Sequence, residues 1–445
     1  MNTLLFYNGL TIYEARDELM NYEDAIKWIH SREKFKIKPG LKRMEWMMDR
    51  LSNPETKLNS IHIAGTNGKG STVSFLRSLL QTQGYSVGTF TSPYIIRFNE
   101  RMSINGEAIS DYELADLVGI VKPLAEKLAK TEWGEPTEFE VITVMSIIHF
   151  SNKNVDFAIF ETGIGGRYDS TNVIQPLASV ITNIGKDHMA MLGDTYEDIA
   201  SEKAGIIKKD TPIFTCVKQK EAMDVIEEEA KRKNAPLYRA DFDFSTTYLR
   251  TSEKGEEFEF QMGNYCSPRL LSQMKGTHQV ANASLAIATI EHLRRSGFLI
   301  QKSFYSEAIE KTTWPARFET VQSRPRVILD GAHNEEGTLA LLDTIKRYFP
   351  GKSIYLLYAA VEGKPVTKML HTLQPLVKEA WFTQFTFPKA LLAKDLYGLS
   401  MIQPSYYESD YKQALLEISK KMTEEDVLVI SGSLYFISDI RKFFE

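Results

Sequence analysis

The chain has 445 residues, 43% of them hydrophobic, a length for two or three domains with substantial cores. Its formal net charge of −5 and pI of about 6.0 provide no whole-protein basic field for nucleic acid or an anionic membrane, though a local basic pocket for an acidic substrate is compatible with that balance. Cys216 and Cys266 are the only cysteines, too few for a disulfide scaffold and without metal-site spacing, so a reducing cytosol is the expected compartment.

The N-terminal patch Leu4-Leu5-Phe6-Tyr7 is short, lacks a basic leader and is followed by Glu14, Asp17 and Glu18, so it does not read as a signal peptide. No apolar run approaches a membrane span. The strongest local signal is Ser60-Ile61-His62-Ile63-Ala64 running into Gly65-Thr66-Asn67-Gly68-Lys69-Gly70-Ser71-Thr72, followed by the helical spacing of Val73, Leu76, Leu79 and Leu80. Glycines let backbone N–H groups close around phosphate oxygens, the lysine adds a point charge, and the helix presents the positive end of its dipole. In the commonest P-loop the first glycine stands farther from the Gly-Lys pair and Ser or Thr follows the lysine directly; here Gly65 is too close and Gly70 intervenes.

Further along, apolar runs ending in glycine-rich or polar turns recur at 155–160, 178–182, 327–329, 354–358 and 427–430, each before a helical pattern. This is the rhythm of parallel β/α units, an α/β fold in which ligands sit at the carboxyl ends of the strands. Between about Tyr238 and Met262 the pattern alternates, and Phe242, Phe244, Tyr248, Phe258 and Phe260 are expected on antiparallel strands attached to the first domain. Trp314-Pro315 interrupts helix and opens a second strand–loop–helix series. The expected domains are therefore 1–314 and 315–445.

Phosphate chemistry calls for Mg²⁺, a hard cation that prefers oxygen ligands. Glu161 follows the second apolar run and precedes Thr162-Gly163-Ile164-Gly165-Gly166, where glycines leave backbone space for a ligand; a metal role is favoured over a helix cap or surface ion pair. At Asp187-His188, imidazole is not the ligand Mg²⁺ prefers, so Asp187 is equally eligible with His188 as its partner. Lys203, in Ser201-Glu202-Lys203-Ala204-Gly205, reads by itself as a solvated charge.

Together with Thr91-Ser92-Pro93, His278-Gln279-Val280-Ala281-Asn282-Ala283, Trp314-Pro315-Ala316-Arg317-Phe318-Glu319, Asp330-Gly331-Ala332-His333-Asn334 and Ser431-Gly432-Ser433-Leu434-Tyr435, these motifs occur in the order seen in folylpolyglutamate synthases. From near residue 20 to the C-terminal motif the chain resembles this branch of the Mur ligase superfamily, whose P-loop has the short spacing seen here. The resemblance implies a P-loop ATPase domain with a mainly parallel sheet, joined to a smaller Rossmann-like C-terminal domain, with the reaction between them. It implies that Gly65, Thr66, Asn67, Gly68, Lys69, Gly70 and Ser71 hold the ATP phosphates, and that Asn282, Arg317 and Asp330 complete the nucleotide site. Ser92, Glu161, His188 and a carbamylated Lys203 would hold magnesium, as two ions, and His333 would face the phosphate-transfer region with Lys69 and Lys203 in catalysis. His30, Ser31, Arg32, Phe139, Glu140, Tyr168, Asp169 and Ser170 match places where relatives hold pterin or folate.

The implied activity is ATP-dependent addition of L-glutamate to the γ-carboxylate of folate or a folylpolyglutamate, in a cytoplasmic monomer. Dihydrofolate synthase activity on dihydropteroate is the nearest alternative, and Ser170, where bifunctional relatives often carry alanine, favours polyglutamylation. A peptidoglycan-type Mur ligase fits Gly70 and 278–283 less well. A guanine-reading switch fails because Asn152-Lys153-Asn154-Val155-Asp156 has one residue too many. The chain departs from the family at Tyr94, at Ala316, at Lys186 and at Val361-Glu362-Gly363-Lys364-Pro365, where an Asp-Lys-Asp run is usual.

Overall fold

The computed structural model describes residues 20–33 and 40–444; the patch at 4–7 and the acids Glu14, Asp17 and Glu18 lie outside the described residues. The first sheet comprises β1 (Ser60–Ala64), β2 (Val87–Phe90), β3 (Met102–Ile104), β4 (Glu107–Ala108), β5 (Phe157–Glu161), β6 (Ala178–Ile181), β7 (Ile213–Thr215) and β8 (Leu237–Arg239). Their order is β4-β3-β2-β5-β1-β6-β7-β8, parallel from β2 to β8 with β3 and β4 antiparallel at one edge.

Side chains alternate between the two faces of this sheet, so each strand feeds two cores. Phe157 and Ile159 join Ile61 and Ile63 against the helices Lys69–Gln81 and Thr277–Arg295. Ala158 and Phe160 point the other way, onto Asp111–Ala129 and Glu138–Asn152, with the helices Tyr22–His30 and Lys42–Arg50 closing the layer. Burial on both faces explains why β5 reads as an apolar run up to Glu161 and why even Ser60 and His62 of β1 are buried.

A second, antiparallel sheet contains β9 (Phe244–Ser252), β10 (Gly255–Met262), β11 (Tyr265–Cys266) and β12 (Leu270–Ser272). Phe244, Phe258 and Phe260 are buried against the first domain's core. Phe242 departs from expectation: it precedes β9, is 77% exposed and lies under the Arg239 guanidinium.

The third sheet contains β13 (Glu319–Ser323), β14 (Arg326–Leu329), β15 (Ile354–Tyr358), β16 (Val377–Gln384), β17 (Ser405–Asp410) and β18 (Val427–Ser431). Its order is β13-β14-β18-β15-β16-β17, parallel except for β13. Trp314, just before it, still belongs to the P-loop helix by packing: a Cβ on Gly70 would come within 3.0 Å of the indole. Among the described residues no helix is long and apolar enough to cross a membrane, and Cys216 and Cys266 are both free thiols.

Candidate functional site

A cavity of about 860 Å³ lies at the carboxyl ends of β1, β5 and β6 and is closed on its far side by the second domain. Its centre is the loop between β1 and the helix Lys69–Gln81. Gly65, at φ +149°, passes so close to Thr182 that a Cβ would sit 1.8 Å from Oγ1, and Gly68, at φ +80°, would place one 2.4 Å from Asn282 Oδ1. No L side chain fits either position, which is why glycine stands at both. Gly68 gives the helix no side-chain cap, so the first-turn N–H groups are left for a ligand. Ser71 Oγ is buried in this wall without a partner among the described residues. Such an orphan costs free energy unless a ligand oxygen satisfies it. Asn67 is held differently, its N–H donating to Asn183 Oδ1 at 2.9 Å. Lys69 Nζ donates to the Gly65 carbonyl at 3.0 Å and lies 4.0 Å from Glu161 Oε1.

Glu161 ends β5 and is buried; desolvation pushes its carboxyl up to about 7 despite the opposing charge of Lys69. Its Oε2 accepts from the Ser92 N–H at 3.3 Å, which brings two of the expected metal residues together. Lys203 corrects the expectation of a solvated cation: it is 4% exposed, on the helix Tyr196–Ala204, with Nζ donating to the Gly65 carbonyl at 3.0 Å. Burial, reinforced by the charge of Lys69, brings its amine down to about 7.

His188 lines the same cavity in the left-handed conformation, φ 53°, and desolvation holds its imidazole down to about 4. Neighbouring Asp187 is not open to a metal in this arrangement. One oxygen meets Lys364 Nζ and the His188 N–H; the other accepts from Asn334 Nδ2 at 3.2 Å and lies 3.5 Å from His333 Nε2. Burial opposes its ionisation, but His333 and Lys364 hold the carboxyl below its usual range. Lys186 faces away, exposed, with Nζ 5.5 Å above the Tyr196 ring.

The second domain contributes the opposite wall. Arg317 is desolvated there, opposite Asp330 and Glu161. Asp330 accepts from the N–H groups of Phe318 and Ala332, both at 2.9 Å, so it shapes the loops at either end of β13 and β14. His333 Nδ1 lies 2.8 Å from the Gly331 carbonyl, which leaves Nε2 directed at Asp187. Asn67 and Asn334 exchange side-chain hydrogen bonds at 3.1 and 2.9 Å across the domain boundary.

The expected folate residues divide. Phe139, Tyr168, Asp169 and Ser170 line the cavity, with Tyr168 54% exposed. Asp169 accepts from Gly163, Ile164 and Thr171 backbone N–H groups at 2.8, 3.1 and 3.0 Å, and thereby holds the glycine-rich turn after β5. Glu140 also reaches the wall, but its oxygens are engaged by Arg43 Nε at 2.8 Å and by the Thr137 N–H and hydroxyl. His30, Ser31 and Arg32 stand off the wall: His30 pairs with Glu138, Ser31 Oγ donates to the Trp28 carbonyl, and Arg32 pairs with Glu135. The site also contains residues that sequence reasoning did not select. Thr182 and Asn183 directly follow β6, a position that signals a ligand site, whereas Arg43 and Arg101 are lone cations with no sequence signal; Lys364, from the segment that departs from the family, reaches the site through Asp187.

Two family profiles match the chain: the Mur ligase middle domain over residues 63–290 and the Mur ligase, glutamate ligase domain over residues 316–434. The chain is 48% identical over 426 residues to the dihydrofolate synthase/folylpolyglutamate synthase of Bacillus subtilis, covering 95% of this chain and 98% of that one. It is 30% identical to the folylpolyglutamate synthase of Lacticaseibacillus casei, with 95% and 98% covered. The crystal structure of Mycobacterium tuberculosis folylpolyglutamate synthase complexed with ADP and AMPPCP superposes with a TM-score of 0.89 at 28% identity, over 95% of this chain and 99% of that one.

Proposed function

The chain belongs to the Mur ligase family, in its folylpolyglutamate synthase branch, and from that premise we propose that it uses ATP to join L-glutamate to the γ-carboxylate of a folate or folylpolyglutamate. The observation that carries this reading is the glycine-framed loop with the unpartnered Ser71 hydroxyl, facing Arg317 and His333 of the glutamate ligase domain across one cavity. On this reading the domain boundary falls at 314/315, after Trp314, which packs against the P-loop helix, and before the third sheet.

A carboxylate is a poor electrophile, because its charge repels nucleophiles and oxide is a hopeless leaving group. Transfer of the γ-phosphoryl group of ATP to the folate carboxylate gives an acyl phosphate and ADP. The amine of glutamate then attacks the acyl carbon through a tetrahedral intermediate, and the amide forms as phosphate leaves. The first-turn N–H groups and Ser71 Oγ cradle the phosphates, Asn282 and Asp330 complete the nucleotide site, and Lys69 and Arg317 offset the charge on the transferring group. His333, which lines the same cavity, is assigned to the phosphate-transfer region beside them. Phe139, Tyr168 and Ser170 receive the folate, with Asp169 shaping their loop.

Ser92 and Glu161 place oxygen donors beside the phosphate loop, a set that fits magnesium, with His188 and a carbamylated Lys203 completing the sites for two ions. Magnesium held there would supply Lewis-acid neutralisation of the phosphate charge. A lysine amine near pKa 7 is available in its neutral form, adds CO₂ with loss of a proton, and gains a carboxylate-like oxygen in place of a repelling charge.

ADP release measured against a panel of folates, dihydropteroate and amino acids tests the reading; release that requires both a folate and glutamate is the expected result. Lys69→Ala abolishes it, and substantial retained turnover would sink the assignment. The dual name of the B. subtilis relative favours dihydrofolate synthase as a second activity, tested by the dihydropteroate arm. The protein works as a cytoplasmic monomer, which light scattering checks for the monomer and cell fractionation for the compartment.

A further inference from the structure

Two arginines reach the folate side of the cavity, and their electrostatic situations differ. Arg43 is buried but paired, its Nε 2.8 Å from Glu140 Oε1. Arg101 is also largely enclosed, with 13% of its side chain exposed, yet its Nε is buried without a hydrogen-bond partner among the described residues. The carboxylate oxygen within ion-pair range, Glu138 Oε1, is 4.0 Å away, and the other oxygen of Glu138 is 3.1 Å from His30 Nδ1. The nearby acid Glu100 is also committed, accepting the N–H groups of Ile95, Ile96 and Arg97 at 3.0, 3.1 and 3.0 Å.

A buried guanidinium whose nearest acid is 4.0 Å away and shared with His30 is costly, and desolvation disfavours its charged form although the charges of Glu138 and Glu33 oppose it. The surroundings nevertheless hold it in place. Its Cζ lies 5.3 Å from the Tyr94 ring and 5.4 Å from the Phe98 ring, so aromatic faces fix the cation while its Nε stays without a hydrogen-bond partner among the described residues. Tyr94, one of the chain's departures from its family, is therefore part of this support. The Arg101 carbonyl accepts the Thr91 N–H at 3.0 Å, which sets the arginine beside the Thr91-Ser92 segment next to Glu161. On the cavity's opposite wall the second domain brings Tyr435.

We propose that Arg101 is a specificity-determining residue that binds a substrate carboxylate in the cleft, either the α-carboxylate of the folate's glutamyl tail or a carboxylate of the incoming glutamate. The inference rests on the ligase reading above. Arginine suits the task because its planar fork matches a carboxylate in two parallel hydrogen bonds.

The test is steady-state kinetics of the full chain and its Arg101→Lys and Arg101→Gln variants, measuring KM for tetrahydrofolate, glutamate and ATP, with thermal unfolding alongside. Arg101→Gln raises KM for glutamate or for the folate by about tenfold or more, with Arg101→Lys intermediate and KM for ATP unchanged. A rise for glutamate assigns the incoming amino acid. A rise for folate, with inhibition by pteroate unchanged because pteroate lacks the glutamyl tail, assigns the tail. Substrate KM values within about twofold of the parent, or a rise shared equally by ATP, overturn the proposal. Should both variants fail to fold, phenylglyoxal labelling of Arg101 in the unmutated protein decides it: slowing by folate or glutamate supports the proposal, and labelling indifferent to both overturns it. A parent chain that ligates no glutamate to any folate instead defeats the ligase reading itself.

Discussion

Glu161 and Lys203 illustrate how one buried pocket moves an acid and a base toward the same neutral state. Desolvation raises the first to about 7 and lowers the second to about 7. Because Glu161 has an ordinary value of 4.5, the folded protein holds its proton more tightly than the unfolded chain does. Its contribution to stability is complete below about pH 4.5 and is lost as pH rises through about 7. Glu161→Gln, which mimics the neutral acid, should therefore stabilise the metal-free protein at pH 8 by on the order of 1–3 kcal/mol, read as a higher melting temperature. The same substitution should cut ligation by about 100-fold or more, since a neutral amide cannot offset magnesium charge. Lys203 titrates in the opposite sense. The unfolded chain binds its proton up to about pH 10.5 and the folded one only to about 7, so stability rises with pH across that window. Lys203→Met should flatten that rise in denaturation measured from pH 7 to 10. If the neutral amine is carbamylated, stripping CO₂ and bicarbonate should lower the parent's activity and adding bicarbonate should restore it; indifference to bicarbonate counts against the carbamate.

At the scale of elements, the N-terminus of the helix Glu138–Asn152 decides the shape of the folate side. Thr137 and Glu140 form a reciprocal cap, and Glu140 also holds Arg43 from the helix Lys42–Arg50. Glu140→Ala leaves that arginine buried and unpaired, a change that typically costs about 3–5 kcal/mol, so a large drop in the urea midpoint is expected. Loss of folate affinity without such a drop would instead point to direct contact between Glu140 and the ligand. This distinction was hidden in the sequence, where Phe139-Glu140 marks a place in the chain but not the direction of a carboxylate. The central strands β5, β6, β15 and β18 were legible because burial on both faces leaves apolar runs, and β1 because a glycine-rich loop and helix follow it directly. Strand β2, interrupted by Gly88 and Thr89, and β17, whose Tyr406 and Tyr407 are exposed at a sheet edge, carry no such run. The phosphate loop was readable as local chemistry, since strand, glycines and helix follow one another directly. Arg101 and Lys364 were not, because each acquires its meaning only from residues far away in the chain that folding brings beside it.

Near the cleft, the seam between the Mur ligase middle domain and the glutamate ligase domain is polar. Lys364, from the loop that lacks the family's Asp-Lys-Asp run, reaches Asp187; Asn334 bonds both Asp187 and Asn67; Glu336 Oε1 accepts the Lys186 N–H at 3.0 Å. Farther out, Tyr348 donates to Glu256 Oε1 at 3.1 Å. Hydrogen bonds of this kind contribute about 0.5–1.5 kcal/mol each, enough to bias closure yet weak enough for substrates to enter and product to leave. On the acyl-phosphate route proposed above, closure would matter because an acyl phosphate exposed to water hydrolyses before glutamate reaches it. Lys364→Met removes one bond of the seam and leaves both hydrophobic cores intact. Its melting temperature should fall by several degrees, since removing the charged partner of a largely buried carboxylate costs about 1.5–3 kcal/mol, while His333 and Asn334 still hold Asp187. Coupling should suffer more than folding: ADP formed per glutamate incorporated, near one in a tight ligase, should rise in the variant as the intermediate escapes to water. An unchanged ratio together with a raised KM for glutamate would assign Lys364 to substrate binding instead of closure.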